Sequence, residues 1–353
     1  MRPARAPYAS ENGLALFERR LRRRNPVLGE ASEGAIRAPS EIVVRVHVRV
    51  PATSANLGPG FDALGLALAL YNDVEASEAD GVTVTVEGEG AGHLPVGADN
   101  IVALGVRLAF EAAGRSFKGV ALRCINRIPL GRGLGSSAAA WVGGLVVGDA
   151  LSGGSLARDE LLALAARAEG HPDNVCAALL GGLTVSAAAA DGGITAIALP
   201  VPDDLAWVVL VPTISASTTE TRAVLPASVA HADAVFNVQR VALLLAGLQA
   251  KRNDALAAAL DDRLHQPYRR ALFPWMESVA DAARRAGALG CVLSGAGPSL
   301  LALVAGDGAA VAHAMEAALH TAGVEGRARA YALDTAGATV VTSRAYPPAG
   351  PSR

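Results

Sequence analysis

PLGRGLGSSAAAWVGGL (residues 129–145) is the stretch on which the reading of this chain turns. Gly131, Gly133 and Gly135 let the backbone turn tightly and approach a ligand with no Cβ in the way. Ser136 and Ser137 then open an apolar helix, whose unpaired first-turn N–H groups and positive dipole end favour phosphate. Their hydroxyls can add contacts to phosphate oxygen or to a magnesium ion. A serine-capped glycine turn with no ligand explains this segment equally well by itself, so its neighbours decide.

Working outward, KGVALRCINRIPL (118–130) reads as a strand feeding the loop, and LARDELLALAARAEG (156–170) as an amphipathic helix beyond it. EIVVRVHVRV (41–50) alternates strictly and puts Val44, Val46, Val48 and Val50 on one face. GVTVTVEGEG (81–90) does the same with Val82, Val84 and Val86 inward. IVALGVRLAFEAAG (101–114) has helical spacing, with Asp99 or Asn100 as its cap. Residues 175–190 read as helix, turn and strand, broken by Gly181 and Gly182, and are too short for a membrane span.

LPVPDDLAWVVLVP (199–212) reads as a junction followed by a buried strand. FNVQRVALLLAGLQA (236–250) and FPWMESVADAARRAGA (273–288) are helical, and GCVLSGAGPSLLALVAG (290–306) is strand, tight turn, strand. Strands and helices interleave without a regular βα repeat, which predicts an α+β chain in two domains. The expected boundaries are 41–200 and 201–345. They are flanked by an arginine-rich extension (1–40), read as disordered or loosely helical, and a proline-rich tail (346–353).

With 31 basic and 33 acidic residues in 353, the chain has a net charge of −2, so nucleic acid is not expected as a partner. The residues before Ser40 contain no apolar signal core. Cys124, Cys176 and Cys291 form no CxxC pair, so they read as buried small side chains in a reducing cytoplasm. The two lysines, Lys118 and Lys251, sit in neither a GxxxxGK[ST] loop nor a VAIK strand. Nucleotide chemistry here would therefore proceed without the lysine of P-loop and protein kinases.

RVPATSANLGPGFDALGLAL (49–68), the loop at 129–145 and LSGAGPSLLALV (293–304) come in the order and spacing of one family. Together they closely resemble the GHMP kinase superfamily, and PATSANLGPGFDALGLAL resembles its homoserine kinase branch. The resemblance runs from about Val43 to about Thr342. It implies a two-domain GHMP kinase fold, with an N-terminal domain like ribosomal protein S5 domain 2, a ferredoxin-like C-terminal domain and the active site between them. It also implies ATP and Mg2+ as cofactors, L-homoserine as substrate and threonine biosynthesis as the setting. A homodimer is left open.

Carried over residue by residue, the resemblance assigns ATP to Asn100 and to Pro129, Leu130, Gly131, Arg132, Gly133, Leu134, Gly135, Ser136, Ser137, Ala138 and Ala139. Glu169 with Ser136 or Ser137 forms the metal pair. At the amino-acid end it assigns Asn56, Asp62, His171, Thr218, Arg222 and Arg269. Asp62 would take the ammonium, and the two arginines the carboxylate. At the hydroxyl two arrangements stay open: Asp173 as base, or no dedicated base with Asn174 beside the hydroxyl. Another GHMP substrate, such as mevalonate, shikimate or a sugar, lacks the paired charges these residues would meet. A catalytically dead sensor would have no need of Glu169, Ser136 and Ser137.

Overall fold

The computed structural model describes residues 43–190 and 192–346. The arginine-rich extension and residues 347–353 of the expected tail lie outside the described residues. Eleven strands among those described form two sheets.

The first sheet is built on β1 (Val43–Ala55) and β2 (Leu64–Glu78), with β3 (Gly81–Gly88), β4 (Gly119–Asn126), β5 (Leu183–Ala188), β6 (Ile194–Leu199) and β11 (Thr339–Tyr346) around them. Its order is β11-β1-β2-β4-β3, and β2 forks: Leu64–Leu66 pair with β5 and Asp73–Glu78 with β4. β3 and β4 are parallel, joined by helix α1 (Ile101–Ala112). Val46, Val48 and Val50 of β1 are buried, as alternation predicts, while Arg45 and Arg49 face out.

Helix α2 (Ser136–Ser152) has no polar face because it is covered on several sides, by β1, α1, α3 (Arg158–Glu169) and α4 (Asp173–Leu180). Gly144 permits the close approach to α1: a Cβ there would stand 2.3 Å from the Val102 carbonyl oxygen.

The second sheet runs β10-β7-β9-β8, from β7 (Leu205–Pro212), β8 (Ala288–Leu293), β9 (Leu300–Ala305) and β10 (Gly326–Tyr331), all antiparallel. Helices α9 (Met276–Arg285) and α10 (Ala309–Thr321) cover it with Val279, Met315 and Leu319. Numbered within this unit the order is 4-1-3-2 with two crossover regions, which is ferredoxin-like. Between β7 and α9 lie α5 (Thr218–Ala223), α6 (His231–Ala250), α7 (Asn253–Ala259) and the single turn α8 (Gln266–Arg269).

The chain then returns. Although residues 201–345 read as one unit in sequence, β11 pairs along β1 in the first sheet and runs through Tyr346, the first residue of the expected tail. Leu256, Val292 and Leu301 share a continuous core with the first sheet's valines and leucines, so the two halves are packed as one body.

Asp73 ties the first sheet's outer face together. It accepts from His47 at 2.8 Å, Arg49 at 3.0 Å and Arg127 at 2.6 Å while itself almost buried. Burial pushes its carboxyl pKa up, but Arg127, His47 and Arg49 outweigh this and hold it below the usual range. A depressed folded value means stability present above the unfolded pKa of about 3.9 and lost as pH falls through the folded one. Asp73→Asn is therefore expected to destabilise by about 1–3 kcal/mol at pH 7. In urea melts its gap to wild type should narrow below about pH 4.

Candidate active site

Six segments from both halves meet at one cleft. The turn after β1 brings Asn56 and Asp62, the loop after β4 brings the glycines, and the α3–α4 corner brings Glu169, His171, Asp173 and Asn174. The β7–α5 segment brings Thr218 and Arg222, α8 brings Arg269, and the β8–β9 turn brings Gly295, Ala296 and Gly297.

The glycine loop is held open by its neighbours. Gly131, Gly133 and Gly135 all have positive φ. The Leu134 carbonyl accepts from the Thr53 N–H at 3.1 Å, the Gly131 carbonyl from Ala216 at 3.0 Å, and the Gly133 carbonyl from the Ser294 hydroxyl at 2.7 Å. Gly135 is the N-cap of α2 and contributes no side chain, so the first-turn N–H groups face the cleft without a side-chain cap. Such a terminus binds anions.

Ser137 Oγ donates to Glu169 Oε2 at 2.7 Å. Burial raises the Glu169 carboxyl pKa; Ser137 and His171 only partly offset this, and Asp173 adds to it. Among the described residues no three His, Cys, Asp or Glu side chains are grouped to cage a metal. One carboxylate, two hydroxyls and an adjoining phosphate site are nonetheless what magnesium asks of a protein, since it keeps several waters and completes its shell with phosphate oxygen. The donors present fit it.

His171 Nδ1–H donates to Asp173 Oδ1 at 3.0 Å, and Asn174 N–H donates to the same oxygen at 2.7 Å. Burial pulls the His171 pKa down, but Asp173 and then Glu169 outweigh it and hold the imidazole above its ordinary value. Asn174 Oδ1 accepts from Thr53 Oγ1 at 2.8 Å, which turns the amide nitrogen away from that bond.

The part of the cleft around Asp62 and Arg222 is held by its own contacts. Arg222 grips Asp62 with both terminal nitrogens, Nη1 at 3.1 Å and Nη2 at 2.6 Å. Asn56 and Asp62 both sit at positive φ, 71° and 57°, a region that Asn and Asp tolerate best among residues with a Cβ. Asn56 Oδ1 accepts from the Asp62 N–H at 3.0 Å and its Nδ2 donates to the Gly295 carbonyl at 2.9 Å. Phe61 lies between the arginines, its ring centre 5.5 Å from the Arg222 guanidinium carbon and 5.6 Å from that of Arg269.

A second, mostly apolar cavity of about 300 Å³ adjoins the loop, sharing Gly131, Ser136 and Ser137 with the first. Val74, Val86 and Leu94 line it, with Leu130 and Ala139. Its position next to the anion site suits a flat heterocycle attached to phosphates.

Profile matches fall on both halves: residues 100–182 match the family described as GHMP kinases N terminal domain, and residues 244–321 match GHMP kinases C terminal. Homoserine kinase of Moorella thermoacetica is 45% identical over 295 residues, spanning 83% of this chain and 99% of that protein. Homoserine kinase of Clavibacter michiganensis subsp. michiganensis is 49% identical over 264 residues, 73% of this chain and 82% of its own. The chain belongs to the homoserine kinase family. Among solved structures, homoserine kinase from Cytophaga hutchinsonii matches with a TM-score of 0.78 and 31% identity, over 87% of this chain and 100% of that one. Mevalonate diphosphate decarboxylase from Staphylococcus aureus, 16% identical with a TM-score of 0.62, shares the fold alone.

Within this homoserine kinase fold, most residues named from sequence line one of the two cavities, but several do so differently than expected. Ala138 is fully buried and lines neither. Asn100 caps α1 through its oxygen, accepting from Val102 at 2.9 Å, and donates to the Pro95 carbonyl at 2.7 Å while lining the second cavity. Arg132 straps the loop to the end of β7, donating to the carbonyls of Leu130, Pro212 and Thr213. Arg269 is only 1% exposed.

Thr53, Phe61 and the Gly295–Gly297 turn lie inside quoted motifs, yet no role follows for them until the chain folds. His265 carried no signal at all beyond standing before QPYR. The three thiols are buried and unpaired; burial pushes Cys124 up to about 11 and Cys176 and Cys291 up to about 12.

Proposed function

We propose that this member of the homoserine kinase family transfers the γ-phosphoryl group of ATP to the hydroxyl of L-homoserine, giving O-phospho-L-homoserine and ADP in threonine biosynthesis. The observation that carries the reading is the two-point Asp62–Arg222 pair, with Arg269 beside it, lining the same cleft as the α2 N-terminus. Homoserine is a zwitterion. Its ammonium can replace Arg222 on Asp62 while its carboxylate replaces Asp62 on Arg222, so the free site leaves neither charge unpaired. Mevalonate, shikimate and galactose cannot make that exchange.

ATP phosphates bind the Gly131–Ser137 backbone, with the adenine in the cavity beside Val74 and Leu94. Glu169 with the Ser136 and Ser137 hydroxyls would hold magnesium, which when bound supplies charge neutralisation at the phosphates. The chain's own part is positioning. Asn174, whose oxygen accepts from Thr53 and one of whose amide hydrogens points to Asp173 Oδ1 at 3.4 Å, has a second amide hydrogen to donate to the substrate hydroxyl oxygen; an amide cannot take the proton. His171 and Asn174 bond to Oδ1 of Asp173, which leaves Oδ2 as the acceptor for the proton released as the O–P bond forms. A loose transition state asks little of such a base before bond formation. A cytoplasmic location agrees with three thiols that stay unpaired.

ADP release tests the reading, with Mg·ATP and L-homoserine, mevalonate, shikimate or galactose offered separately. Turnover with homoserine alone is the expected result. Turnover of another alcohol overturns the substrate assignment, and silence with all four overturns catalysis.

A further inference from the structure

His265 is fully buried, 0% exposed, and lines neither of the two cavities. Its two ring nitrogens have opposite duties. Nε2 lies 2.8 Å from the Gly58 carbonyl oxygen, which can only accept, so Nε2 carries the proton. Nδ1 lies 3.0 Å from Arg269 Nη1, which can only donate, so Nδ1 is the bare acceptor. The geometry admits one species, the neutral Nε2–H tautomer.

Phe61 and Asp262 flank the ring. Phe61 stacks on it, 5.2 Å between centroids and 22° between planes. Asp262 accepts the His265 backbone N–H at 3.0 Å and the Gln266 N–H at 2.7 Å, and its Oδ2 also lies 3.4 Å from Nε2. The groups charged around the ring are thus Asp262, Arg269 and Asp62. Burial, with Arg269 beside it, keeps the ring below its ordinary pKa against the pull of Asp262.

Arg269 has few other anchors for its orientation. Nε reaches the Thr221 carbonyl at 3.2 Å and Nη1 the Gly295 carbonyl at 3.2 Å, both longer than the bond to His265. Arg222 stands nearby as a like charge, and burial together with Arg222 brings the Arg269 pKa down to about 10. Two guanidiniums aimed at one carboxylate repel each other, and an acceptor behind one of them resists that repulsion.

We infer that His265 is a positioning residue: as a neutral Nε2–H imidazole it holds Arg269 in the orientation that selects a substrate bearing a carboxylate. The inference rests on the homoserine reading of the same site. A carbonyl or carboxylate in its place would hold the arginine too, but a carboxylate would cancel the charge meant for the substrate.

The test compares homoserine with 3-aminopropan-1-ol, which is homoserine without its carboxylate. His265→Phe keeps the ring's volume and stacking but removes the acceptor for Arg269. The homoserine KM should rise about 10-fold or more, with kcat and the KM for ATP changed less than about threefold. The preference for homoserine over 3-aminopropan-1-ol should shrink by a similar factor. His265→Gln offers both an acceptor and a donor and should restore most of that preference. An unchanged preference in a folded His265→Phe protein overturns the inference, as does equal loss of kcat and of turnover with both alcohols. If that variant does not fold, 15N NMR of wild-type histidines at pH 7 decides. A neutral Nε2–H ring at His265 supports the inference, and a protonated or Nδ1–H ring overturns it. Failure of wild type to use homoserine at all is a separate result, which removes the function reading itself.

Discussion

Gly135→Ala is expected to lower kcat/KM at least about 100-fold while leaving a folded protein. Gly135 sits at φ 68°, where an alanine costs about 1–2 kcal/mol by itself. The larger effect is steric. A Cβ there would lie 1.9 Å from Thr53 Oγ1 and 3.2 Å from Asn174 Oδ1. Thr53 cannot rotate away freely, because its hydroxyl donates to Asn174 and its N–H donates to the loop carbonyl of Leu134. The methyl group therefore shifts the N-terminus of α2 and the Thr53–Asn174 pair together, which misplaces both the phosphates and the hydroxyl. Gly154→Ala is the control: it has the same φ of 68°, but a Cβ there meets nothing within 4 Å. It should cost about 1–2 kcal/mol and leave kinetics unchanged. Steady-state kinetics alongside thermal melts of both variants check this. Equal kinetic losses would mean that backbone strain, not the contact with Thr53, is responsible.

Arg222→Ala and Arg269→Ala are expected to diverge, although both arginines were assigned the same carboxylate. Arg222 is about one-third exposed and its partner Asp62 equally so. Its loss should raise the homoserine KM by about 100-fold, as loss of a charged partner at a binding site does, with the KM for ATP little changed. The melting temperature should barely move. Arg269 is buried and donates to Thr221, Gly295 and His265. Removing it orphans three acceptors, at about 1–3 kcal/mol for each left unsatisfied. This variant should show both a raised homoserine KM and a lower melting temperature. A stable Arg269→Ala protein would contradict the burial-based role given to it. Unchanged homoserine kinetics in both variants would sink the carboxylate clamp.

These predictions separate what could be read along the chain from what could not. Valine alternation in 43–50 and 81–86, the helical spacing of 101–112 and the strand–turn–strand of 290–306 were legible because side-chain direction follows a local period, 2.0 or 3.6 residues. The three glycine-rich segments were legible because a backbone that must approach phosphate needs residues without a Cβ, and the composition of the loop records that need. The order of those segments determined the family, and with it most of the residues lining the cleft.

Local period says nothing about which distant segments meet. Only the folded chain decided that β11 returns to β1, and that Arg132 straps the loop to the end of β7. It also decided that Asp62 and Arg222 satisfy each other across 160 positions of sequence. His265 shows the limit most plainly. Its tautomer and burial, and hence the inference drawn from it, depend on Gly58, which lies 207 residues earlier in the chain. Such pairings arise from packing two sheets against one cleft, where desolvation drives most buried donors to find an acceptor.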